Sequence, residues 1–281
     1  MNLVFQQGST LVIKAAGVSR ELLISSASLS QTFLEEAQRV RTIHNNNAVA
    51  RTYTNELSPV SLEFSCHLTK YDGLLLEWLG LVPDGSDKYL FSPLGILPQE
   101  YTIYLKRTGG VYKVANPVAQ TISFSFNIRE NALMLNVTAE GSLIEQSELP
   151  ALPNHTIQSR TDFIHGALEL AGYDHVGGFT LEYTKDIVWV GAKSIQEALS
   201  GIYYPKVASV ADLALGGTIT NYKRDSNLLY TPNTVIDFLY GDTVRIKIPQ
   251  ARIFDRLETG EVDLKRQDFK AQPTSQAYIQ F

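Results

Sequence analysis

The stretch VSLEFSCHL at residues 60–68 indicates the fold class of this chain. Its apolar side chains alternate with polar ones and lie at Val60, Leu62, Phe64, Cys66 and Leu68. This period of two is typical of a β-strand with one buried and one exposed face. The apolar run LLLEWL at residues 74–79 follows directly, and Asp72 before it predicts the N-cap of a short buried helix.

The same alternation recurs on both sides of this stretch. Residues 122–128 and 133–139 flank a turn at 129–131 and predict an antiparallel hairpin, and residues 101–105 and 111–114 predict another that turns at 108–110. In the second half, strands are predicted at residues 178–190, at 244–248 with an end at Pro249, and around 262–270. Helices are predicted at 161–171, from apolar residues on one side, and at 194–199, from the capping-box spacing of Ser194 and Glu197.

Composition places the chain among folded proteins. Of 281 residues, 44% are hydrophobic and 19% charged, which is too apolar for a disordered chain. Pro150 and Pro153 lie in a turn-rich stretch and predict a boundary between a first domain, 1–150, and a second, 151–281. The order strand, turn, strand at 118–141 resembles that at 248–271, which leaves duplication of one domain as an open alternative.

Charge and termini limit the partners. The chain has 24 basic and 29 acidic residues, a net charge of −5 with the wrong sign for a protein that grips phosphate backbones. That balance still allows nucleic acid to pass without being held. The N-terminus has no basic start or sustained apolar core, and the longest apolar run is far shorter than the ~20 residues of a membrane span. We therefore expect folding in a cytoplasm and no membrane insertion.

No pattern predicts a catalytic, metal-binding or cofactor-binding residue. The histidines lack the spacing of a zinc motif, and the glycine pairs at 109–110, 177–178 and 216–217 fit no phosphate-binding motif, so they predict hairpin and loop tips. Cys66 and His67 are neighbours on one strand and point to opposite sides. They therefore predict a core thiol and a surface imidazole. We expect a protein that is not an enzyme and needs no cofactor.

The long polar segment at residues 31–59 is the most informative irregularity. A structureless stretch of this length within a compact domain is unusual. Its composition predicts an extended β-hairpin arm with its tip at Asn45-Asn46-Asn47, stabilised by docking on a neighbouring subunit. A flexible surface loop is the alternative. The candidate inter-subunit residues are Phe33, Leu34, Glu35, Glu36, Arg39, Arg41, Ile43, Asn46, Arg51 and Tyr53.

In this order, the features resemble the major tail tube proteins of long-tailed bacteriophages, particularly the larger type with two fused tube domains. The resemblance covers nearly the whole chain. It rests on a strand pair at 3–13 and 22–29, the arm, the strand at 60–68 with its helix, the hairpin at 101–114, the strands that end at residue 141, and the closing segment 243–271.

The resemblance implies a mainly β fold with two tandem tail-tube-type β-sandwich or barrel domains, each with a flanking α-helix. It implies a structural virion protein whose rings stack into a hollow tube, the conduit for genome ejection, assembled in the host cytoplasm. Three chains with two domains each would form a pseudo-six-fold ring. We expect a lumen of net negative potential, in which acidic neighbours offset Arg245 and Lys247.

The implied partners are other copies of the chain, a tape measure protein, a tail terminator and tail-tip or baseplate proteins, with transient passage of double-stranded DNA. One alternative is a β-sandwich binding module at the tail tip, for a receptor or carbohydrate. Its nearest candidate residues are Tyr203, Tyr204 and Tyr222. An enzyme with an unfamiliar site is the other alternative.

Overall fold

The computed structural model describes residues 9–42, 45–92, 101–127, 132–170, 176–190, 205–221, 230–241, 243–258, 264–272 and 276–281. Within these residues the chain is mainly β, as the sequence predicts. The strands are β1 (Thr10–Ala15), β2 (Val18–Ser30), β3 (Phe33–Thr42), β4 (Asn45–Leu57), β5 (Val60–His67), β6 (Val82–Pro83), β7 (Lys88–Leu90), β8 (Thr102–Arg107), β9 (Gly110–Ala115), β10 (Val118–Asn127), β11 (Leu133–Gly141), β12 (Leu143–Ser147), β13 (His155–Ile157), β14 (Leu168–Leu170), β15 (Val176–Val190), β16 (Lys206–Asn221), β17 (Tyr230–Tyr240), β18 (Val244–Glu258), β19 (Leu264–Ala271) and β20 (Tyr278–Gln280). The described helices are α1 (Gly73–Trp78) and a 3-10 turn, Arg160–Asp162.

Backbone pairing arranges most strands in two sheets that share β2. The smaller sheet has the order β12-β9-β8-β1-β2-β13, with β13 parallel to β2. The larger sheet is antiparallel and has the order β2-β5-β11-β10-β15-β16-β19-β18-β17-β14. Residues 18–23 of β2 pair with β1, whereas residues 24–30 pair with β5 beyond a register shift. The long strand β2 therefore crosses from one layer to the other.

Strand β18 also has two sets of neighbours. Residues 245–247 pair with β20, which pairs in turn with β7, and residues 251–258 pair with β19. Pro249 lies between these two stretches. The sequence predicts that the strand ends at Pro249, but the strand continues through it. Proline is tolerated there because the ladder with β17 shifts register and no hydrogen-bond donor is required.

The first-half strands predicted at 22–29, 60–68, 101–105, 111–114, 122–128 and 133–139 are confirmed where they are described, whereas residues 3–8 of the strand predicted at 3–13 lie outside the described residues. Besides the strand end at Pro249, two predictions for the second half are wrong. The glycine pairs at 177–178 and 216–217 lie inside β15 and β16 rather than at loop tips. Residues 161–171 form no α-helix where they are described. The backbone of Ile164 instead bonds to Leu68 and Leu133, so pairing with the first half outweighs the apolar spacing. The predicted helix at 194–199 lies outside the described residues.

Helix α1 lies where the sequence predicts it and packs on the buried face of the larger sheet. Leu75, Leu76 and Trp78 are buried, and the Trp78 ring stacks on Phe64 with centroids 6.1 Å apart. The indole Nε1 donates to the carbonyl of Pro117 at 2.9 Å, so this large side chain is buried without an unsatisfied donor. Both sheets and α1 share one hydrophobic core.

Asp72 is the N-cap residue of α1, as the sequence predicts, and its carbonyl accepts from Leu76 N at 3.0 Å, but its side chain has another role. Its side chain makes no capping hydrogen bond. It lies fully buried against Arg20, with Nε 3.0 Å and Nη2 2.9 Å from Oδ1, while Oδ2 accepts from the Thr69 amide at 2.8 Å and from Gln158 Nε2 at 3.0 Å. Burial raises the pKa of the Asp72 carboxyl, and Arg20 and Thr69 offset part of that rise. This network joins β2, the start of α1 and the segment after β13.

The chain beyond Pro153 is held on the first half by a second polar cluster. Ser19 Oγ donates to the carbonyl of Pro153 at 3.0 Å, and His155 Nε2 lies 3.1 Å from Glu21 Oε2. Burial would raise the pKa of Glu21, but hydrogen bonds from Lys106, Thr10 and His155 outweigh it and lower that pKa. Residues 153–158 therefore pack on β2. The domain division at residue 150 stays a prediction.

Lys185 on β15 links the second half to α1. Its ammonium is buried and donates to the carbonyl of Leu79, the C-cap residue of the helix. Burial lowers the pKa of Lys185 to about 8. A Cβ added to Gly80 would lie 2.2 Å from the Lys185 Nζ, so the close approach depends on this glycine, whose φ is +83°.

Removing one partner of the buried ion pair between Arg20 and Asp72 should lower the free energy of unfolding far more than replacing both partners with apolar residues. We expect Arg20→Met and Asp72→Leu each to lower the free energy of unfolding by ~3–5 kcal/mol, because each leaves a buried charge unpaired. The double variant Arg20→Met/Asp72→Leu should lose much less than the sum, as measured by urea unfolding. The exposed pair Lys113–Glu145 is the control and should contribute less than ~1 kcal/mol. Additive losses in the buried pair would contradict this account.

Lys185 should make stability depend on pH in a defined direction. Its folded pKa lies below that of the unfolded chain, so between about pH 8 and 10.5 the unfolded state holds more protons and stability rises with pH. The difference in unfolding free energy between the wild type and Lys185→Met should move in favour of the wild type across this window, by on the order of 1–3 kcal/mol. A difference that stays constant from pH 8 to 10.5 would refute the assignment.

Candidate functional site

One face of the larger sheet is covered by short polar side chains. Along the eight strands β2, β5, β11, β10, β15, β16, β19 and β18, which are neighbours in this sheet, alternate residues point away from the core. We call this surface the polar face and define it by Ser26, Ser28, Ser61, Glu63, Ser65, Asn136, Thr138, Glu140, Thr121, Ser123, Ser125, Thr180, Glu182, Thr184, Asp186, Asp212, Ala214, Gly216, Thr218, Arg266, Asp268, Lys270, Arg252, Phe254 and Arg256.

The backbone register aligns this surface across eight strands. One continuous row of opposed partners runs through Ser26, Ser65, Asn136, Ser123, Glu182, Gly216, Lys270 and Arg252. Within the row, Ser65 Oγ donates to Asn136 Oδ1 at 2.6 Å. Because successive strand residues alternate between faces, the register that buries the core places these polar side chains side by side.

The opposite face of the same strands forms the core. It contains Leu62, Phe64, Ile122, Phe124, Leu181, Ile219 and Phe269. Gly217 lies on this side of β16, where an added Cβ would be 1.9 Å from the Thr180 carbonyl oxygen and 2.8 Å from the Phe269 ring. A larger residue there would separate β16 from its neighbours. The glycine therefore keeps the polar face continuous between β15 and β19.

Charge is unevenly distributed over the polar face. Its described acidic side chains lie mainly on β5, β11, β15 and β16, at Glu63, Glu140, Glu182, Asp186 and Asp212, with Asp268 on β19. The basic residues lie on β18 and β19, at Arg252, Arg256, Arg266 and Lys270. Asp186 and Asp212 are direct cross-strand partners and both are exposed. The middle of the face is thus acidic and one side is basic.

Arg245 and Lys247 do not belong to the polar face. They lie on the part of β18 that pairs with β17 and β20. Arg245 Nε donates to Asp237 Oδ1 at 2.8 Å, and Lys247 is the cross-strand partner of Asp237. The hydrogen bond from Arg245 lowers the pKa of Asp237. The acidic Asp237 therefore lies beside both of these basic residues.

The predicted arm is a two-stranded hairpin of β3 and β4, which connects β2 to β5. Thr42 pairs with Asn45, so residues 45–47 belong to β4 and do not form the predicted tip. Ser58 N donates to the Thr32 carbonyl at 2.8 Å, and Gln31 Nε2 to that of Ser58 at 2.9 Å. These bonds close the base of the arm at the end of the larger sheet.

The candidate arm residues are distributed over both strands of this hairpin. Glu35, Glu36, Arg39 and Arg41 lie on β3, Asn46, Arg51 and Tyr53 on β4, and Ile43 lies outside the described residues. The backbone pairs Glu35 with Tyr53. At the base, Phe33 and Leu34 are 48% and 40% exposed, which leaves two large apolar side chains facing solvent. Their inter-subunit role stays a prediction.

Sequence reasoning missed the polar face as a functional surface. The polar residues of each alternating pattern, such as Ser123 and Ser125, were the sequence feature that could have indicated it. On a single strand, however, such residues indicate only that one side of the strand is exposed. His67 is also more enclosed than predicted, since its ring lies 4.8 Å from that of Phe163, whereas Cys66 is a buried core thiol as predicted. The candidate ligand-binding tyrosines of the alternative, Tyr203, Tyr204 and Tyr222, lie outside the described residues.

Within the described ranges, no group of three or more His, Cys, Asp or Glu side chains is placed to hold a metal ion. None of the helices in those ranges is both long and apolar enough to cross a membrane. The feature that stands out is instead an extended antiparallel sheet with one polar face and unpaired edges. The described part of the chain is therefore a mainly β protein with one continuous polar surface.

The comparison with known families shows the class of protein. Residues 1–281 match the Bacteriophage Baseplate Tube Protein Family, so the chain belongs to this family. No curated protein matches the chain. The family gives the chain a structural role in the phage tail or baseplate and a place in the virion. It is a family of baseplate tube proteins, whereas the sequence resemblance pointed to the major tail tube proteins.

Proposed function

We propose that this chain forms rings of the tube at the phage baseplate, that the polar face lines the lumen, and that DNA passes through this lumen during genome ejection. The observation that carries the proposal is a repeated strand order. The larger sheet begins with β2-β5-β11-β10 and continues with β15-β16-β19-β18. In both groups the strands stand in the order first, second, fourth and third along the chain.

The ladder partners support the same correspondence. The matching pairs are Ala119–Ala139 with Ala251–Ala271, and Ile122–Val137 with Ile253–Phe269. Each group of four strands thus has an apolar pair at the same position and presents its polar residues to the same side. We interpret the groups as two tube units in one chain. Three chains would then supply six units to a closed ring, and a homotrimer would have pseudo-six-fold symmetry.

The chemistry of the polar face fits a conduit better than a binding site. Ser, Thr and Asn side chains make up about half of it, and they carry no charge to hold a phosphate backbone. The exposed carboxylates of Glu63, Glu182 and Asp212 repel that backbone. Tight DNA binding requires clusters of Lys and Arg that release counterions, and the middle of this face has none among its described residues. DNA would therefore slide along it without a specific hold.

The arm would join subunits within or between rings. A lone two-stranded hairpin is marginally stable in water, and the exposed Phe33 would bury its ring against an apolar partner. Docking on a neighbouring copy would supply one. Further partners under this proposal are a tape measure protein, a tail terminator and other baseplate proteins, with assembly in the host cytoplasm. The chain would have no catalytic step and no cofactor.

Ring stoichiometry tests the proposal. In cross-sections of assembled protein by electron microscopy, we expect rings of three chains with six similar density units. A variant in which a two-residue Asn-Gly turn replaces residues 32–57 should fold but lose ring stacking or closure, because Gln31 and Ser58 already lie within hydrogen-bond distance. Rings of six whole chains would contradict the two-unit interpretation. Normal assembly without the arm would remove its inter-subunit role.

The charge of the lumen can be tested separately. We expect assembled wild-type protein to retain no double-stranded DNA in a filter-binding assay at physiological salt. Glu63→Lys/Glu182→Lys/Asp212→Lys should create retention that weakens steeply with added salt. The control Asp84→Lys/Asp87→Lys/Glu145→Lys makes the same change in charge at exposed positions off the polar face, and should not create it. Stoichiometric retention by the wild type would refute the conduit role.

A further inference from the structure

Residues 230–234, at the start of β17, pair with β18. At the corresponding position in the first group of four strands, the outer edge of β10 pairs with the first strand of the second group, β15. In the second group, β18 takes the place of β10, yet its outer edge is covered by residues 230–234 of its own chain, with Tyr230 opposite Phe254 and Thr231 opposite Ile253. A local segment thus fills the site where the next tube unit would bind.

This segment is poorly suited to a permanent place in a sheet. Its ladder with β18 shifts register on both sides of Thr234, and Pro232 has no amide hydrogen to donate. Residues 230–233 are exposed, with Tyr230 at 56%. Gln272 Nε2 donates to the Pro232 carbonyl at 3.2 Å and also contacts the Asn233 side chain. A short, irregular and exposed strand end is a low-stability element that can open locally.

The other edge of the sheet offers the matching strand. Residues 24–30 of β2 pair with β5 on one side, and no described strand pairs with their other side. By ladder position, Ser28 in the first group corresponds to Glu182 in the second, since they pair with Glu63 and Gly216 respectively. Glu182 is in turn the partner of Ser123 on β10. The free edge of β2 is therefore equivalent to the edge with which β15 contacts β10.

We propose that residues 230–234 are a displaceable edge cap, and that β2 of a second copy of this chain replaces them on β18. Continuing the internal register places Phe254 opposite Ser28 of the second copy. Arg252 and Arg256 would then flank the strand next to Glu63 of that copy, so the basic side of one polar face would meet the acidic side of the next. The inference rests on the proposed ring and adds its contact strands and a barrier to premature polymerisation.

A reversible disulfide tests the cap. Tyr230→Cys/Phe254→Cys places two cysteines at directly opposed, exposed positions, while the native Cys66 stays buried. Oxidised, this variant should remain unassembled at a concentration where the wild type forms rings, and reduction should restore assembly. Its thermal unfolding checks that the stapled chain is folded. Equal assembly in the oxidised and reduced forms would overturn the edge cap but leave the ring intact.

A second variant tests the partner strand. Phe254→Cys/Ser28→Cys should form disulfides between chains, giving a covalent ladder on a denaturing gel only after assembly. The matched control Phe254→Cys/Ser26→Cys moves one cysteine two residues along the same face and should cross-link far less. Equal cross-linking of both variants, or none, would overturn the proposed register. If neither the wild type nor the reduced variants assemble, this inference and the proposed ring fail together.

Discussion

The pairing of β10 with β15 is the interaction on which the rest of this structure depends. It runs from Thr121 opposite Thr184 to Asn127 opposite Gly178, and it joins strands of the first and second halves in one antiparallel ladder. Because the pleat is continuous through this seam, the halves share one buried and one polar side. A slip of one residue would exchange those sides for the whole second half, which would expose the apolar core.

Buried charges hold the layers in place around that seam. The ion pair of Arg20 and Asp72 anchors the start of α1 to β2, and Lys185 reaches the other end of the same helix from β15. Such groups are poor sources of net stability, since removing them from water costs several kcal/mol each. Their value here is positional: few other places satisfy all their hydrogen bonds, so they select one docking of the helix and of residues 153–158.

The edges of the sheet connect the fold to its assembly. An unpaired edge exposes backbone donors and acceptors, and a protein must either protect it or use it. Here the serine-rich half of β2 forms one end of the larger sheet, and residues 230–234 at the bulged start of β17, with Pro232, cover the outer side of β18. The proposed ring would give a reason for both, because a subunit that polymerised would need complementary edges that stay separate until assembly begins.

The sequence by itself determined the local elements of this protein. Alternation predicted β5, β10 and β11, the run after Asp72 predicted α1, and a long polar segment predicted the arm hairpin, since each pattern depends on neighbours along the chain. Tertiary structure alone decided that Asp72 pairs with Arg20, that Ile164 bridges strands rather than joining a helix, and that Gly217 lies inside a sheet. The polar face also needed it, because its register joins strands more than a hundred residues apart, such as β5 and β19. Those outcomes depend on contacts between distant residues, which compete with local preference and prevail where they bury more apolar surface.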